Sequence, residues 1–258
     1  GVASSQAYTR EFGNRKPSQL RGAKRTEALE WLSRQLDEAI LKFIGDAAKG
    51  DTLLCCFYEF RYQPVADALK AALDRGVDVR LIVDAKNNAP KDKNGKLQDP
   101  FPRAENLKLI KKVGLPKASV FLREARTNAI QHNKFMVLLR GRQKKPVEVW
   151  TGSTNISDGG IHGQTNVGHW VRDGDTAKRF LAYWELLKSD PGGKQGEDRA
   201  TANASNKKLR TAVAQILPAP TSWPKIKKGI TPIFSPRSGS EVLDMYAHMV
   251  DEARDTSC

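Results

Sequence analysis

Three consecutive stretches, Thr52-Leu-Leu-Cys-Cys-Phe-Tyr-Glu-Phe60, Pro64-Val-Ala-Asp-Ala-Leu-Lys-Ala-Ala-Leu73 and Val77-Asp-Val-Arg-Leu-Ile-Val83, decide the fold class. The first is apolar nearly throughout, as in a strand covered on both faces. In the second, Val65, Ala68, Leu69 and Ala72 recur at helical spacing behind Pro64, and Arg75-Gly76 closes the helix. The third reads as another strand. Strand, about ten helical residues, glycine turn and strand make a βαβ unit, which requires a parallel strand pair. Cys55 and Cys56 are neighbours on the first strand, so their side chains point to opposite faces and read as buried apolar thiols.

Working outward, Leu29, Leu32, Leu36, Ile40, Phe43 and Ile44 predict one helix from Thr26 to Lys49, with Gly50 as its stop. Residues 1–25, polar and basic, read as an irregular arm. Downstream the pattern predicts a loop from Lys86 to Arg103, a helix over Ala104–Val113 and a strand over Ala118–Leu122. A hairpin of His132–Leu139 with Val147–Trp150 follows, through the basic turn Arg140–Pro146. A further strand, Asn166–Val171, and an amphipathic helix, Asp175–Leu187, complete a unit spanning 26–188. Residues 189–230 read as a weak helix (199–216) and a proline-containing linker. Ser240–Ala253 is again helical in pattern, and its ending Asp251-Glu-Ala-Arg-Asp255-Thr256 echoes Asp46-Ala-Ala-Lys-Gly-Asp51-Thr52, so 231–258 reads as the start of a second, truncated copy. Trp31, Trp150, Trp170 and Trp184 fall on faces expected to be buried.

Composition bounds the function. Hydrophobic residues make up 39% of 258 and charged residues 28%, which argues against wholesale disorder and against a coiled coil. No apolar run is long enough to cross a bilayer. Lys and Arg (43) exceed Asp and Glu (29), giving a net charge of +14, which favours polyanionic partners: nucleic acid, or an anionic membrane surface. Three cysteines make no disulfide framework and no signal-peptide pattern opens the chain, so a cytoplasmic location is the default expectation.

The residues that could do chemistry cluster in two segments. Ile130-Gln-His132-Asn-Lys134-Phe-Met-Val-Leu-Leu139 places His132 and Lys134 two apart on a strand, hence on one face. Val149-Trp-Thr-Gly152-Ser153-Thr-Asn155-Ile-Ser-Asp158 ends the adjacent strand in a small-polar turn. A neutral imidazole is a nucleophile near pH 7, and Lys134, the Asn155 amide and the Ser153 hydroxyl are donors suited to phosphoryl oxygens. No carboxylate cluster for a two-metal site is visible, and no cofactor is expected.

With these residues in place, the sequence resembles the phospholipase D superfamily, whose signature runs His-x-Lys, four residues, Asp, a spacer and Gly-Ser-x-x-Asn or a close variant. His132, Lys134, Gly152, Ser153 and Asn155 match. The family Asp falls on Leu139, the spacer is lengthened by the basic turn, and Asn166-Val-Gly168-His169 stands where the family often has Asn-x-Glu. The resemblance implies an α/β fold with a mixed, largely parallel sheet flanked by helices on both faces. It implies a metal-independent phosphodiesterase that forms a phosphohistidine on His132. It also implies that a second histidine, from a C-terminal half or another subunit, protonates the leaving oxygen. Either Glu59 is the carboxylate that orients His132, or it is a surface group; His169 is a second candidate, more readily a core histidine. His162, in Gly159-Gly-Ile-His-Gly163, is a loop residue that either touches substrate or is simply exposed, and His248 reads as structural.

Three functions compete. The charge, with the basic arm and the turn Arg140–Lys145 beside the motif, favours a nuclease. A phospholipase or phosphatidyltransferase ranks second because no membrane-inserting amphipathic helix stands out. A catalytically silent nucleic-acid-binding half is the third, motivated by Leu139 and Gly168.

Overall fold

The computed structural model describes residues 6–86, 93–95, 102–125, 131–220, 226 and 229–253. Most of the expected 86–103 loop, much of the 217–230 linker, the first five residues and the terminal residues 254–258 lie outside the described residues.

One six-stranded sheet runs through the molecule in the order β3-β2-β1-β4-β5-β6. Its members are β1 (Thr52–Phe57), β2 (Asp78–Asp84), β3 (Val120–Arg123), β4 (Lys134–Arg140), β5 (Lys145–Gly152) and β6 (Gly168–Val171). The βαβ unit is as expected: β1 pairs parallel with β2 in the register Thr52↔Asp78 to Phe57↔Val83, and β2 pairs parallel with β3. The α/β class and mixed sheet hold, but the balance is not largely parallel. β1–β4, β4–β5 and β5–β6 are antiparallel, because β4 enters from the opposite end and the next two strands follow as short connections.

Helices cover both faces. α3 (Leu36–Gly45), α4 (Gln63–Asp74) and α5 (Arg103–Val113) lie on the side where Leu53, Cys55, Leu81 and Met136 point. α6 (Gly174–Lys188) and α7 (Arg199–Ile216) lie on the other, against Leu54, Cys56, Ile82 and Phe135. The two thiols thus occupy opposite cores, and burial pushes both well up, Cys56 to about 12.

The expected helix from Thr26 to Lys49 is two: α2 (Gly22–Ser33) and α3, separated by Arg34 (φ 50°) and Gln35 (φ 68°), both left-handed. The break lets one apolar pattern serve two cores. Ile40, Phe43 and Ile44 reach the sheet, while Ala28 and Leu32 pack with Tyr8, Phe12 and Leu20. The expected irregular arm therefore contains a helix, α1 (Gln6–Phe12), held by its aromatic residues; Tyr8 is fully buried. The expected weak helix is α7, a full 18 residues capped by the Asp198 side chain, with Leu209 and Val213 in the second core. Its approach is fixed by Arg123, 1% exposed, which pairs with Asp190 at 2.8 Å and donates to the Pro191 carbonyl at 3.0 Å. The tail helix α8 (Glu241–Asp251) buries Met245 and leaves Leu243, Tyr246, Met249 and Val250 exposed. No helix among the described residues is long and apolar enough to cross a membrane.

Candidate active site

His132 lies two residues before β4 starts at Lys134, and β4 runs antiparallel to β1 with Lys134 opposite Phe57. The histidine therefore sits at the carboxyl ends of the parallel strands β1 and β2, where backbone groups leave the sheet and loops converge. Tyr58 donates its N–H to the Asn133 carbonyl at 2.9 Å, carrying the β1–β4 ladder one step further and bringing its ring to His132, with centroids 4.9 Å apart.

Lys134 and His132 share a side, as the spacing requires. The Lys134 ammonium donates to the His132 carbonyl at 2.9 Å and lies 5.4 Å from the Tyr58 ring centre. Lys134 is 5% exposed. Burial pulls its pKa down to about 8, against the opposing charge of Glu59. Burial also holds the His132 imidazole below its ordinary 6.5, and the Lys134 charge adds to this while Glu59 works against it. The pair is thereby set with a neutral imidazole beside a cation at neutral pH.

Glu59 is 16% exposed at its side chain and bonds Arg61 at 3.1 Å; it acts on His132 by charge and not through a hydrogen bond. The segment that carries it is pinned by a residue without a sequence motif. Asn106 of α5, fully buried, accepts from the Phe60 N–H at 2.7 Å and donates to the carbonyls of Tyr58 (2.8 Å) and Asp84 (2.9 Å). An asparagine at an inward position, one helical turn before Leu109, is the signal that could have found it.

Behind the site, one Tyr183 hydroxyl lies 3.1 Å from Asn133 Oδ1 and 2.6 Å from the Ser235 carbonyl. A hydroxyl has one proton, which the shorter distance assigns to the Ser235 carbonyl, leaving the Asn133 oxygen as the weaker, competing acceptor.

The Gly-Ser-Thr-Asn turn is fastened to the approach to β6. Ser153 accepts from the Val167 N–H at 3.1 Å and donates to Asn166 Oδ1 at 3.0 Å; fully buried Thr154 donates to the Val167 carbonyl at 3.1 Å. Gly152 is required here, because a side chain would collide with the Val167 carbonyl. Asn155 makes no side-chain hydrogen bond among the described residues, and its Oδ1 is buried without a partner. Leu139, at the family Asp position, is core, 3% exposed and opposite Thr52.

A groove of about 520 Å³ opens on one side of His132, lined by Lys134, Thr151, Gly152, His169 and the strap Ile230–Ser235. A smaller cavity of about 260 Å³ lies on the other side, between Gln131, Asn133, Asn206 and Arg210. His132, Lys134, Gly152 and His169 thus share one groove; Ser153 and Asn155 are not in its lining. Several sequence readings are corrected. His169 is exposed in the groove and not a core residue, because β6 is the sheet edge. His162 is 8% exposed within a single π-helical turn, Gly159–Gly163, against Tyr62, and not on an exposed loop. The basic turn after Arg140 lies at the far end of β4 from His132, seven strand residues away, or roughly 20 Å at strand spacing. Trp170 is only half-buried, with its N–H on Glu148, and His248 is exposed on α8. Among the described residues no three His, Cys, Asp or Glu side chains converge as metal ligands would.

Residues 40–187, more than half of the chain, match the family described as cardiolipin synthase, PLD-like domain. The chain belongs to the phospholipase D superfamily. No curated protein matches it. Solved structures of similar fold include the phospholipase D family member Nuc from Salmonella typhimurium (23% identical, TM-score 0.41, 57% of this chain and 83% of that one). NucT from Helicobacter pylori is another (15%, 0.45, 62% and 91%). A third is phosphatidylserine synthase from Haemophilus influenzae Rd KW20 (11%, 0.43, 70% and 41%).

Proposed function

We propose that this phospholipase D-like chain is a phosphodiester hydrolase acting through a phosphohistidine on His132, with nucleic acid as its substrate. The observation that carries the reading is the pair itself: an imidazole kept neutral and an ammonium kept close, both at the edge of an open groove. The imidazole nitrogen attacks phosphorus, an N–P bond forms and the P–O bond to the leaving alcohol breaks. Lys134 holds the charge gathering on the phosphoryl oxygens; the Asn155 amide, on the adjoining turn and outside the groove lining, would have to turn toward the groove to add a second donor. Water then cleaves the N–P bond, returning neutral imidazole and a phosphomonoester. The leaving oxygen needs a proton, which a second phospholipase D-like half, in the same protein or a second subunit, supplies; His169, exposed across the groove, is the alternative donor within this chain. The +14 charge favours a polyanionic substrate.

Incubating the protein with labelled DNA and RNA in EDTA tests the reading. Cleavage that disappears in His132→Ala, together with a phosphohistidine trapped by acid-free quench, is expected; no cleavage by the intact protein, or equal cleavage by the variant, overturns it. One observation favours a lipid phosphodiester instead: the groove wall carries Val171, Phe180, Ile230, Pro232, Ile233 and Phe234, an apolar lining suited to acyl chains. Headgroup release from mixed anionic vesicles without nucleic-acid cleavage would establish that reading.

A further inference from the structure

The segment after Glu59 is tied to the residue that follows Asn155. Phe60 bridges Ile156, and the N–H groups of Arg61 (2.9 Å) and Tyr62 (3.1 Å) both donate to the Ile156 carbonyl. Immediately beyond it lies a separate concave groove of about 580 Å³, walled by α2, α5, residues 61–64 and the π-helical turn. It shares no lining residue with the His132 groove.

The chemistry of its walls is cationic. Arg25, Arg61, Lys108 and Lys112 line it, with Glu105 and Asp158 as the acidic members. Arg61 is committed, paired to Glu59 and to Glu105. Arg25, Lys108 and Lys112 are exposed and make no ion pair among the described residues. Lys108 and Lys112 stand four apart on α5, hence on one face, where like charges repel unless an anion lies between them. His162 completes the wall, and its buried Nδ1 has no hydrogen-bond partner. A buried polar atom lacking a partner is a place where a bound group gains interaction that the empty fold lacks. Arg61 also pairs with Glu59, whose charge acts on His132, so one lining residue of this groove is linked to the reaction centre.

We propose that this groove, built from Arg25, Lys108, Lys112 and His162, binds the phosphodiester backbone of a nucleic-acid strand at a phosphate other than the one attacked by His132. The inference rests on the nuclease reading for its biological sense, but the binding stands or falls separately. Concavity favours a strand over a flat bilayer, and the uncommitted cations would neutralise phosphates without reading bases.

The test compares two double variants that each remove two positive charges: Lys108→Ala/Lys112→Ala in the groove, and Arg142→Ala/Lys145→Ala in the exposed turn at the opposite end of the sheet. Binding of a fluorescein-labelled single-stranded 20-mer is followed by anisotropy against salt concentration. For single strands the logarithmic slope falls by about 0.7 for each phosphate no longer neutralised, so the groove variant should show a slope shallower by about 1.4 and bind several-fold more weakly at low salt. The turn variant should match the parent. Equal slopes for the groove variant and the parent, or equally weakened binding in both variants, overturn the proposal. So does weakened binding to phosphatidylglycerol vesicles with oligonucleotide binding unchanged. Turnover of bis(p-nitrophenyl) phosphate by the unmodified protein reports on His132 chemistry alone: its absence sinks the hydrolase reading, while the slopes still decide the groove.

Discussion

The two ends of the β1–β4 ladder carry buried charge in opposite ways. At the amino end of β1, Asp51 (5% exposed) accepts from the Ala48 N–H (2.9 Å), the Gly141 N–H (2.8 Å) and Arg140 (2.7 Å). Burial alone would raise its pKa, but these partners overcome it and hold the carboxyl below its ordinary value. At the carboxyl end, Lys134 is buried with too little compensation and His132, exposed to the groove, is partly desolvated beside it, so both are pushed toward the uncharged form. Elsewhere in the molecule Asn155 Oδ1 and His162 Nδ1 are buried without a partner, and at the carboxyl end of β2 the Asp84 carboxyl is raised to about 6 by burial. A satisfied network stabilises one end, whereas the other keeps its polar groups available for a ligand. Local inconsistency of this kind is expected where a fold does chemistry.

If that division is right, substitutions at the two ends should separate activity from stability. The largest effect should come from His132→Ala: kcat for phosphodiester cleavage falls by at least about 10³-fold, the loss expected when a covalent nucleophile is removed. The melting temperature should stay within about 2 °C, because the imidazole is already disfavoured as a cation. At the other end Asp51→Ala strands two backbone donors and a guanidinium, a loss of about 3 kcal/mol. In a chain of this size that is roughly 6–12 °C in melting temperature, with kcat unchanged. Thermal melts and initial rates on both variants check the pair. A catalytic defect in Asp51→Ala without a lowered melting temperature would break the comparison.

How much of this contrast is legible in the sequence follows from the range of each signal. The βαβ unit is readable because alternation and helical spacing are local, and so are His132 and Lys134, which share a face by strand geometry alone. Three features are not. Asn106 bonds to residues 22 to 48 positions away, so its place on the inward face of α5 marks it as buried but not what it holds. The basic turn looks close to the motif because it follows within ten residues, yet a strand converts sequence proximity into distance. The helix expected from Thr26 breaks at Arg34-Gln35, two ordinary residues with no glycine to announce the turn, since the division between two cores is a tertiary demand. The uncompensated burial of Lys134 is equally invisible, being a property of what surrounds it.

Two smaller effects concern Lys134. Its depressed pKa predicts a falling limb of kcat near pH 8, about tenfold per unit beyond it, as the cation that holds the phosphoryl oxygens is lost. Rates from pH 6 to 10 in Lys134→Arg check this: the arginine stays charged, so the limb should vanish even if the maximum falls. A limb that persists near pH 8 assigns the titration elsewhere. The same burial has a stability consequence whose sign can be fixed. The folded value, about 8, lies below the ordinary 10.5, so between those values the unfolded chain holds more protons than the native one, and stability from this group rises with pH. Below pH 8 the cost of keeping the ammonium buried is fully present. Lys134→Met should therefore be inactive yet more stable than the parent at pH 7 by about 1 kcal/mol, once the missing hydrogen bond to the His132 carbonyl is set against the relief of burial. Its advantage should shrink by about 1 kcal/mol between pH 7 and pH 9 as the parent lysine discharges. Urea titrations of both proteins at the two pH values measure the gap. A difference that does not change with pH would mean that Lys134 is not strained by its burial, and that the two ends of the ladder differ less than their hydrogen bonding implies.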